Sequence, residues 1–573
     1  MKFKKSLSFI MAVVLLLASG CTLPGTNISN GEIPDSTEGK DITMAEAADN
    51  VFSLNCNTSY SFNPLVATNH SNQLVLSLVY ENLIELDNNF EIIEGKGVLT
   101  DWSYNDNASV WTLTVDTSKT FHDGSSVSAK DVAYTLNNVN AASADRFQGR
   151  FRTFQGATYS GNDTVTVSLS TGDTQFIKLL NIPLIKSGSF NEKFPEGSGP
   201  YYWVLETVED EPATETKAAK THQYPTELRA YEGYPGYENF PVDTVYLKEN
   251  SDPESIISAF EDSLVDVVMN DPSSYTNLGY AATNEFHTFA TTNMHLVAFN
   301  QEGDITGNAG FRYAMQYAFD RSYLKSLLNE NAVTATLPMY PTCVDYPQEF
   351  ADKLDYDLNT CKRILENNGI KDYDDDGWME YMNAGQKIDL TFILCSDSSA
   401  KAGIANRFAS DMASIGLKIT VRELTWDEYY NALTDYINVS KETKEDEDFE
   451  EIEYDMYYAE VKLRNNFDIT ELLKPYDREK DTVVSTTINF TNSTDTGYEN
   501  YLYNYLAAGD QSRKQTYQQF AEYVLTTVGQ FVVIGFEKQQ LITHRGAVRG
   551  VDPNYGNPLN DFINWQISFK EEE

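Results

Sequence analysis

A strand–helix–strand pattern in the second half of the chain constrains the fold more than any other feature of the sequence. Segments 387–394 (KIDLTFIL) and 417–424 (LKITVREL) alternate apolar and polar side chains, which is typical of β-strands. Between them, Ile404, Phe408 and Met412 recur at helical spacing. A helix of this length joins parallel strands by a right-handed crossover, so the pattern predicts an α/β fold.

A second apolar stripe predicts a helix earlier in the chain. Phe311, Met315, Ala318 and Leu324 follow helical spacing, so we expect one helix over residues 311–328. At 573 residues the chain is too long for one hydrophobic core, and two or three domains are expected.

The stretch FHDGSSVSAKDVAYTLN, residues 121–137, contains a His–Asp pair that could be catalytic or structural. It follows an alternating strand pattern (VWTLTV) and a turn. Ser128 and Asp131 then match a capping box in which Asp replaces the usual Glu, and a helical apolar stripe follows. Because no nucleophile is visible beside His122 and Asp123, we expect them to support a strand–turn–helix unit.

The N-terminal residues predict export and a lipid anchor. Three lysines, a short apolar run and the small residues before Cys21 are typical of a secretory signal in residues 1–20. The ending LLLASGC resembles a bacterial lipobox, in which the Cys carries diacylglycerol; an ordinary signal with an incidental Cys is the alternative. Residues 21–47 are polar with no apolar period, which predicts a flexible tether. We expect an extracytoplasmic protein that is anchored to the bacterial membrane through this lipid.

Charge and cysteine content exclude several classes of protein. The formal net charge of −43 argues against nucleic acid as a partner, because DNA and RNA are bound through Lys and Arg. It also argues against a basic patch on anionic lipid. The four other cysteines form no CxxC motif, and Cys343 and Cys361 could either pair or remain thiols.

Six motifs in order, spanning roughly residues 50 to 570, resemble those of the family-5 extracellular solute-binding proteins of ABC transporters, which include oligopeptide and dipeptide receptors. Two departures are mild: Ser126 stands for the family's Pro and Ser128 for its Thr. The matching segments are SFNPL (61–65), VYENLIELD through FHDGSSVSAKDVAYTL (within 80–137), GSGPYYW (197–203), LRAYEGYPGYENFPVDTVYLK (228–248), LVAFNQ with FRYAMQYAFDRSYL (296–324) and YDLNTCKRILENNGIKDYDDDGWMEY (356–381).

The resemblance implies an α/β, two-lobed periplasmic-binding-protein-like clamshell of the large class, with an extra inserted subdomain. It implies a monomeric receptor, without catalysis or cofactor, that captures an oligopeptide and delivers it to the membrane permease of an ABC importer. The predicted domains are lobe I (48–80, 195–295 and 530–573), the inserted subdomain of lobe I (81–194) and lobe II (296–529).

The ligand-binding segment of the family departs from its pattern here. In the peptide-binding members, an Asp in a W-x-A-D-Y-x-D-P-like segment pairs with the ammonium group of the ligand. The corresponding segment is 457–475, where this Asp falls on Asn465 or Asn466. An amide supplies no counter-charge, so Asp468 is left as the candidate acid. A ligand without a free amine, such as an oligosaccharide or another polar solute, is therefore the alternative.

Other candidate ligand contacts lie beside these residues and near the start of the chain. Arg464 could bind a carboxylate of the ligand in a bidentate fork, or could form a surface salt bridge. Asn69, His70 and Asn72 lie where the first-lobe loop of the family approaches the ligand, although a solvated loop is an equal alternative.

An acidic run raises a metal question. In KDYDDDGWMEY, Asp372, Asp374 and Asp376 fit positions 1, 3 and 5 of a calcium loop. The twelfth position is Asn383, so the bidentate Glu is missing, and a tight acidic turn without a metal is the main expectation.

Two other classes of function stay open at this point, a secreted hydrolase and an adhesin or sensor. The sequence has no G-x-S-x-G, H-E-x-x-H or G-x-x-x-x-G-K-[ST] motif. Paired carboxylates among 85 acidic residues leave the hydrolase as an alternative.

Overall fold

A computed structural model describes residues 50–569, apart from residues 142–145, 148, 212–219, 275–278, 384, 386, 435, 437–438, 440–450 and 475–487. The predicted signal segment, Cys21 and the whole predicted tether lie outside the described residues. Within the described part of the chain, no helix combines the length and apolar character needed to cross a membrane.

The helices and strands alternate along most of the chain. The strands are β1 (Phe52–Cys56), β2 (Leu99–Tyr104), β3 (Val110–Val115), β4 (Phe154–Ser160), β5 (Thr164–Leu169), β6 (Tyr201–Glu211), β7 (Lys220–Ala230), β8 (Thr244–Glu249), β9 (Val267–Asn270), β10 (Glu285–Phe299), β11 (Ala332–Thr334), β12 (Ile370–Lys371), β13 (Glu380–Tyr381), β14 (Asp389–Cys395), β15 (Lys418–Leu424), β16 (Met456–Lys462), β17 (Phe531–Thr543), β18 (Val548–Arg549) and β19 (Gln566–Ile567). The α-helices are α1 (His70–Val79), α2 (Ala129–Ala141), α3 (Pro253–Glu261), α4 (Ala309–Met315), α5 (Ser322–Leu327), α6 (Gln348–Ala351), α7 (Leu358–Asn367), α8 (Ser399–Ser414), α9 (Trp426–Leu433), α10 (Thr470–Leu473), α11 (Tyr498–Leu506) and α12 (Asp510–Glu522).

One mixed sheet of eleven strands runs through the molecule. Its order is β15-β14-β16-β10-β17-β9-β1-β8-β7-β6, and β11 pairs with β17. β1 is parallel to both β8 and β9, whereas β10 is antiparallel to β16 and β17. The fold is therefore the predicted mixed α/β class.

The two central strands, β10 and β17, connect the two halves of this sheet. Their pairing is interrupted between Ala290 and Met294, where the register shifts. On one side of the shift β17 pairs with β9, and on the other side β10 pairs with β16. Each half carries its own helices and apolar core, which gives the two-lobed clamshell.

The strand–helix–strand prediction is confirmed by β14, α8 and β15. The two strands are parallel, from Asp389 opposite Lys418 to Cys395 opposite Leu424. The apolar stripe of α8 is buried, and the Phe408 ring stacks on a neighbouring ring with 4.1 Å between centroids.

The single helix predicted over residues 311–328 is wrong, because the chain forms α4 and α5 with a break between them. Arg321 lies in the break and is buried. Its Nε donates to the Val533 carbonyl at 2.7 Å, and Nη2 donates to the Gln316 carbonyl at 3.1 Å. The Arg321 guanidinium turns inward and satisfies backbone carbonyl groups, which a continuous helix would place elsewhere. The apolar spacing of the sequence gives no sign of this contact.

The segment with the His–Asp pair runs from the turn after β3 into α2, which packs on a four-stranded antiparallel sheet, β2-β3-β5-β4. His122 Nε2 lies 2.9 Å from the Gly199 carbonyl oxygen, and burial lowers the pKa of His122 to about 4. Asp123 forms an ion pair with Lys186. Both residues therefore make structural contacts. The expected cap of α2 forms in part, since the Ser128 amide and hydroxyl donate to Asp131 at 3.0 and 2.6 Å.

The four cysteines outside the N-terminal segment are free and buried. Cys343 packs in one apolar cluster and Cys361 in another, so these two thiols are not paired. Burial raises the pKa of Cys361 to about 12, which keeps it protonated and unreactive.

Candidate ligand-binding site

A continuous cleft lies where β10 and β17 change register. Its central cavity measures about 370 Å³ and shares lining residues with neighbouring cavities of about 210 and 500 Å³. The wall is drawn from segments that are distant in sequence. They include His70 at the start of α1, Arg146 and Arg150 after α2, residues 289–293 of β10, Lys462 at the end of β16, and Tyr555 near the C-terminus.

Three cations line this cleft with no acidic partner in the described part of the chain. Among the described residues, no carboxylate oxygen lies within 4.0 Å of the side-chain nitrogens of Arg146, Arg150 or Lys462. The Arg146 and Arg150 guanidinium groups lie over the Phe147 ring, with 5.1 and 5.3 Å to its centroid. Nη1 of Arg150 is buried and has no hydrogen-bond partner among the described residues. Such a group is suited to receive an anion.

The closeness of these cations is visible in their pKa values. Burial lowers the pKa of Arg146 to about 10, and repulsion from Arg150 adds to this effect. Lys462 remains open to water in the cleft, yet desolvation by the cleft walls and repulsion from the two arginines lower its pKa to about 8. The free protein therefore holds three mutually repelling charges in one place, and a bound anion would relieve that repulsion.

Tyr555 helps to position the cationic wall, the name we give to Arg146, Arg150 and Lys462. Its hydroxyl donates to Asn465 Oδ1 at 2.6 Å and also contacts Arg150. The Asn181 amide donates to the Tyr555 carbonyl at 3.3 Å. These contacts hold the phenol ring in place.

The opposite side of the cleft is acidic. Asp271 lines the adjoining 500 Å³ cavity, and burial together with the nearby Glu537 raises the pKa of its carboxyl. His70 lines both the central cavity and the cavity that contains Asp271. Asp271 and Glu537 favour its protonation, while Lys462 and Arg146 oppose it. Burial dominates and lowers the pKa of His70. The cleft thus offers opposite charges at its two ends.

The two asparagines predicted as ligand contacts make hydrogen bonds within the protein. Asn465 Nδ2 donates to the Lys178 carbonyl at 3.1 Å, and Asn466 Nδ2 donates to Asp173 Oδ2 at 2.7 Å. Both side chains are 1% exposed. Burial raises the pKa of Asp173 to about 6, which keeps this carboxyl near its titration range at neutral pH. The asparagines tie the segment after β16 to the region around β5, and ligand contact by them stays a prediction.

Asp468 and Arg464 also connect the segment after β16 with another part of the chain, the residues just before β4. Arg152 Nε donates to Asp468 Oδ2 at 2.6 Å, and Arg464 Nη1 lies 3.7 Å from the same oxygen. Burial alone would raise the pKa of Asp468, but Arg464 and Arg152 outweigh it and hold the pKa low. Both predicted residues line the 210 Å³ cavity, so contact with a ligand there stays a prediction.

The three candidates near residue 70 occupy different environments. His70 lines the cleft. Asn69 caps α1, where its side chain accepts from the Asn72 amide at 3.1 Å, and it borders the adjoining cavity. Asn72 is fully buried, and its side chain bonds the backbone of Asn57. His70 is therefore the predicted residue that the structure places most directly in the cleft.

Arg146, Arg150, Lys462 and Tyr555 were not predicted from the sequence. One local signal was available, since the segment RFQGRFR concentrates three arginines in a chain with twice as many acidic as basic residues. Nothing in the sequence connects that segment with Lys462, which is more than 300 positions away. The acidic residues Asp372, Asp374 and Asp376 are not among the residues that line the cleft.

Two lobes joined by paired strands, with a charged cleft at the junction, define an extracellular solute-binding protein. A family model described as bacterial extracellular solute-binding proteins, family 5 Middle, matches residues 96–460. The chain belongs to this family, whose members are extracytoplasmic binding proteins of transporters. No curated protein sequence matches the chain.

Solved structures of low sequence identity share the fold. The substrate-binding protein CtaP from Listeria monocytogenes is 17% identical with a TM-score of 0.64, covering 91% of this chain and 100% of that one. NikZ from Campylobacter jejuni, in complex with Ni(L-His), is 17% identical with a TM-score of 0.61, covering 90% and 99%. The oligopeptide-binding protein AppA from Bacillus subtilis, in complex with a nonapeptide, is 16% identical with a TM-score of 0.56, covering 91% and 99%.

Proposed function

We propose that this protein is the receptor of an ABC importer, and that it captures a peptide in its cleft and delivers it to a membrane permease. One observation carries the choice of ligand. Among the residues that the structure describes, no carboxylate pairs with Arg146, Arg150 or Lys462 in the cleft, in a chain with 85 acidic residues. Neighbouring cations that lack a counter-charge repel one another, so a ligand with an anionic group is the simplest reason for their presence.

A peptide fits the two ends of the cleft better than a neutral solute does. Its terminal carboxylate would lie against the three cations, and its ammonium group would face Asp271. A neutral oligosaccharide would leave the cations unpaired, which makes it the weaker alternative. The fold accommodates different solutes, since similar structures hold a nonapeptide and Ni(L-His).

Binding can drive closure through the same charges. Arg146 and Arg150 come from the segment after α2, whereas Lys462 comes from the end of β16, so an anion between them contacts two separate parts of the chain. Contacts made on both sides of the cleft favour the closed form, because the ligand binds that form more tightly. In this proposal the hinge of the closing movement lies at the register shift between β10 and β17.

We further propose that the receptor is attached to the membrane through a lipid on Cys21. The support is the sequence alone, namely the apolar run and the LLLASGC ending. Mass spectrometry of the protein from its host would test it, because an unmodified N-terminus or an uncut signal would remove this part of the proposal.

The test of the ligand starts from what the protein retains. We expect denaturation of protein purified from its native host to release a mixture of peptides, identified by mass spectrometry. One of these peptides is then synthesised with a free carboxylate and with a C-terminal amide. Amidation should weaken binding to the wild-type protein at least tenfold, measured by calorimetry, because it removes the charge that faces the cations.

The Arg150→Gln variant completes the comparison. It should bind the free acid at least tenfold more weakly than the wild type does, yet distinguish acid from amide only slightly. Its melting temperature should stay equal or rise, since an unpaired cation has been removed. The matched control is Lys418→Gln, which removes a charge from the exposed edge strand β15 and should bind like the wild type. Equal affinity for acid and amide, or release of a neutral glycan alone, would reject the peptide proposal.

A further inference from the structure

The loop between β12 and β13 gathers four acidic side chains. One carboxylate oxygen from each of Asp372, Asp374, Asp376 and Glu380 lies within 4.8 Å of the others. The two oxygens of Asp372 accept from the amides of Asp376 and Gly377 at 3.2 and 2.8 Å. The loop backbone is thus folded around its first aspartate, with the remaining carboxylates brought towards one point.

Glu380 distinguishes this group from an ordinary acidic surface loop. Its side chain is fully buried. Oε2 accepts from the Tyr373 amide at 2.8 Å, but Oε1 is buried and has no hydrogen-bond partner among the described residues. A buried carboxylate oxygen without a partner is costly, because it has lost its water and gained nothing in exchange. Something positively charged at the centre of the group would satisfy it.

Lys387 provides a positive charge near this group, but it contacts Asp376 and does not reach Glu380 Oε1. Its ammonium contacts Asp376, and this contact raises the pKa of Lys387. Both side chains are substantially exposed, at 50% and 34%. Lys387 therefore neutralises the outer side of the group and leaves Glu380 Oε1 without a partner.

We propose that Asp372, Asp374, Asp376 and Glu380 bind a calcium ion. All four offer carboxylate oxygens, the ligands that Ca²⁺ prefers, and no Cys or His belongs to the group. Glu380 takes the ninth position of the loop and so supplies the acidic ligand that Asn383, at the twelfth position, does not. The proposal is independent of the ligand assigned to the cleft.

The ion would fasten the loop to the body of its lobe. The Met379 amide donates to the carbonyl of Gly416 at 2.7 Å, directly after α8. Gly416 adopts a φ of +95°, and a side chain there would meet the Gly377 carbonyl at 2.8 Å. The loop is therefore packed against the end of α8, and fixing its shape would stabilise the strand–helix–strand unit that follows.

Binding can be measured with the full-length protein after removal of metals with EGTA. Trp378 lies inside the loop, so Tb³⁺ in the same site should show luminescence sensitised by this ring. We expect one saturable Tb³⁺ site that Ca²⁺ displaces at submillimolar concentration, whereas Mg²⁺ at the same concentration does not. We expect Ca²⁺ also to raise the melting temperature.

Three variants test the assignment of the ligands. Glu380→Gln and Asp374→Asn should each weaken Ca²⁺ binding at least tenfold, while Lys387→Met should strengthen it, because a competing cation is gone. Asp375→Asn is the matched control within the loop, since Asp375 lies outside the group and Asn tolerates its φ of +61°. The proposal is wrong if Tb³⁺ does not saturate, if Mg²⁺ competes equally, or if Glu380→Gln binds Ca²⁺ like the wild type.

Discussion

Lys462 holds its charge against two neighbouring arginines. Desolvation and repulsion from Arg150 and Arg146 bring its pKa to about 8, within reach of mild alkali. In the proposed complex the protonated form of Lys462 faces the carboxylate. Affinity for an anionic ligand therefore depends on a proton that the free protein loses as the pH rises through about 8.

We predict that affinity for an N-acetylated free-acid peptide falls severalfold between pH 7 and pH 9.5. Acetylation removes the amine of the peptide, which would otherwise titrate in the same range. Calorimetry in buffers of different ionisation enthalpy should also show proton uptake on binding near pH 8, since the anion raises the pKa of Lys462.

Lys462→Arg is the matched variant for this prediction. Arginine keeps its charge throughout this range, so the fall in affinity and the proton uptake should both disappear. A variant with the same pH profile as the wild type would show that another group is responsible.

At the scale of elements, β10 and β17 share a buried ionic contact next to their register shift. His295 of β10 is fully buried, and its Nε2 lies 3.6 Å from Glu537 Oε2 of β17. Its Nδ1 lies 3.5 Å from Glu460 of β16 and 2.9 Å from the Tyr458 hydroxyl. Burial alone would lower the pKa of His295, but Glu460 and Glu537 outweigh burial and the nearby Lys401, and raise it.

This contact predicts how stability depends on pH. A histidine whose pKa is higher in the folded state stabilises the protein fully below the unfolded value of about 6.5, and the effect is lost as the pH rises through the folded value. In the His295→Gln variant, the free energy of unfolding should therefore fall less than in the wild type as the pH rises above about 6.5. Urea unfolding at a series of pH values measures this, and each unit of pKa difference corresponds to about 1.4 kcal/mol.

His287 provides the control on the same strand. Burial lowers its pKa, so His287→Gln should leave the alkaline loss unchanged. Identical pH profiles for His295→Gln and the wild type would refute the role given to the contact across β10 and β17.

Elements with a clear apolar period were predictable from the sequence, and those shaped by buried polar groups were not. The period identified β14, α8 and β15 because buried apolar side chains make up most of their packing. The break between α4 and α5 depends on Arg321 turning inward to backbone carbonyls, and hydropathy places an arginine at the surface. The register shift in β10 falls at Thr291, Thr292 and Asn293, and it was not predictable because hydropathy carries no information on backbone pairing.

For the whole molecule, long-range and short-range electrostatics oppose each other. The net charge of −43 repels an approaching anion, while the three cations attract it within the cleft. Salt screens exposed charges beyond about 10 Å at 0.1 M and affects close, partly buried contacts less. We predict that the association rate of an acidic peptide rises severalfold when salt increases from about 10 to 150 mM, measured by stopped-flow fluorescence.

A peptide of equal length and zero net charge serves as the comparison. Its association rate should change much less with salt, because no net repulsion is screened. A falling rate for the acidic peptide would show that the cleft, and not the whole surface, governs its approach.

The family motifs were enough to predict the two-lobed architecture, whereas the cationic wall was not predictable. Motifs such as GSGPYYW mark close contacts of the backbone and recur in order along the chain. Arg146, Arg150 and Lys462 become neighbours only when the segment after α2 packs near the end of β16. The asparagines at the position of the family's acid make hydrogen bonds inside the protein, and their contact with a ligand stays a prediction.

The separation between the cationic wall and the paired strands bears on how such a receptor changes over evolutionary time. In our proposal, the groups that select the charge of the solute lie on a loop and a strand end, while closure depends on the backbone pairing of β10 and β17. A few substitutions in the wall can therefore exchange one nutrient for another while the moving parts are inherited intact. A change of solute would then require substitutions only in the residues that contact the solute.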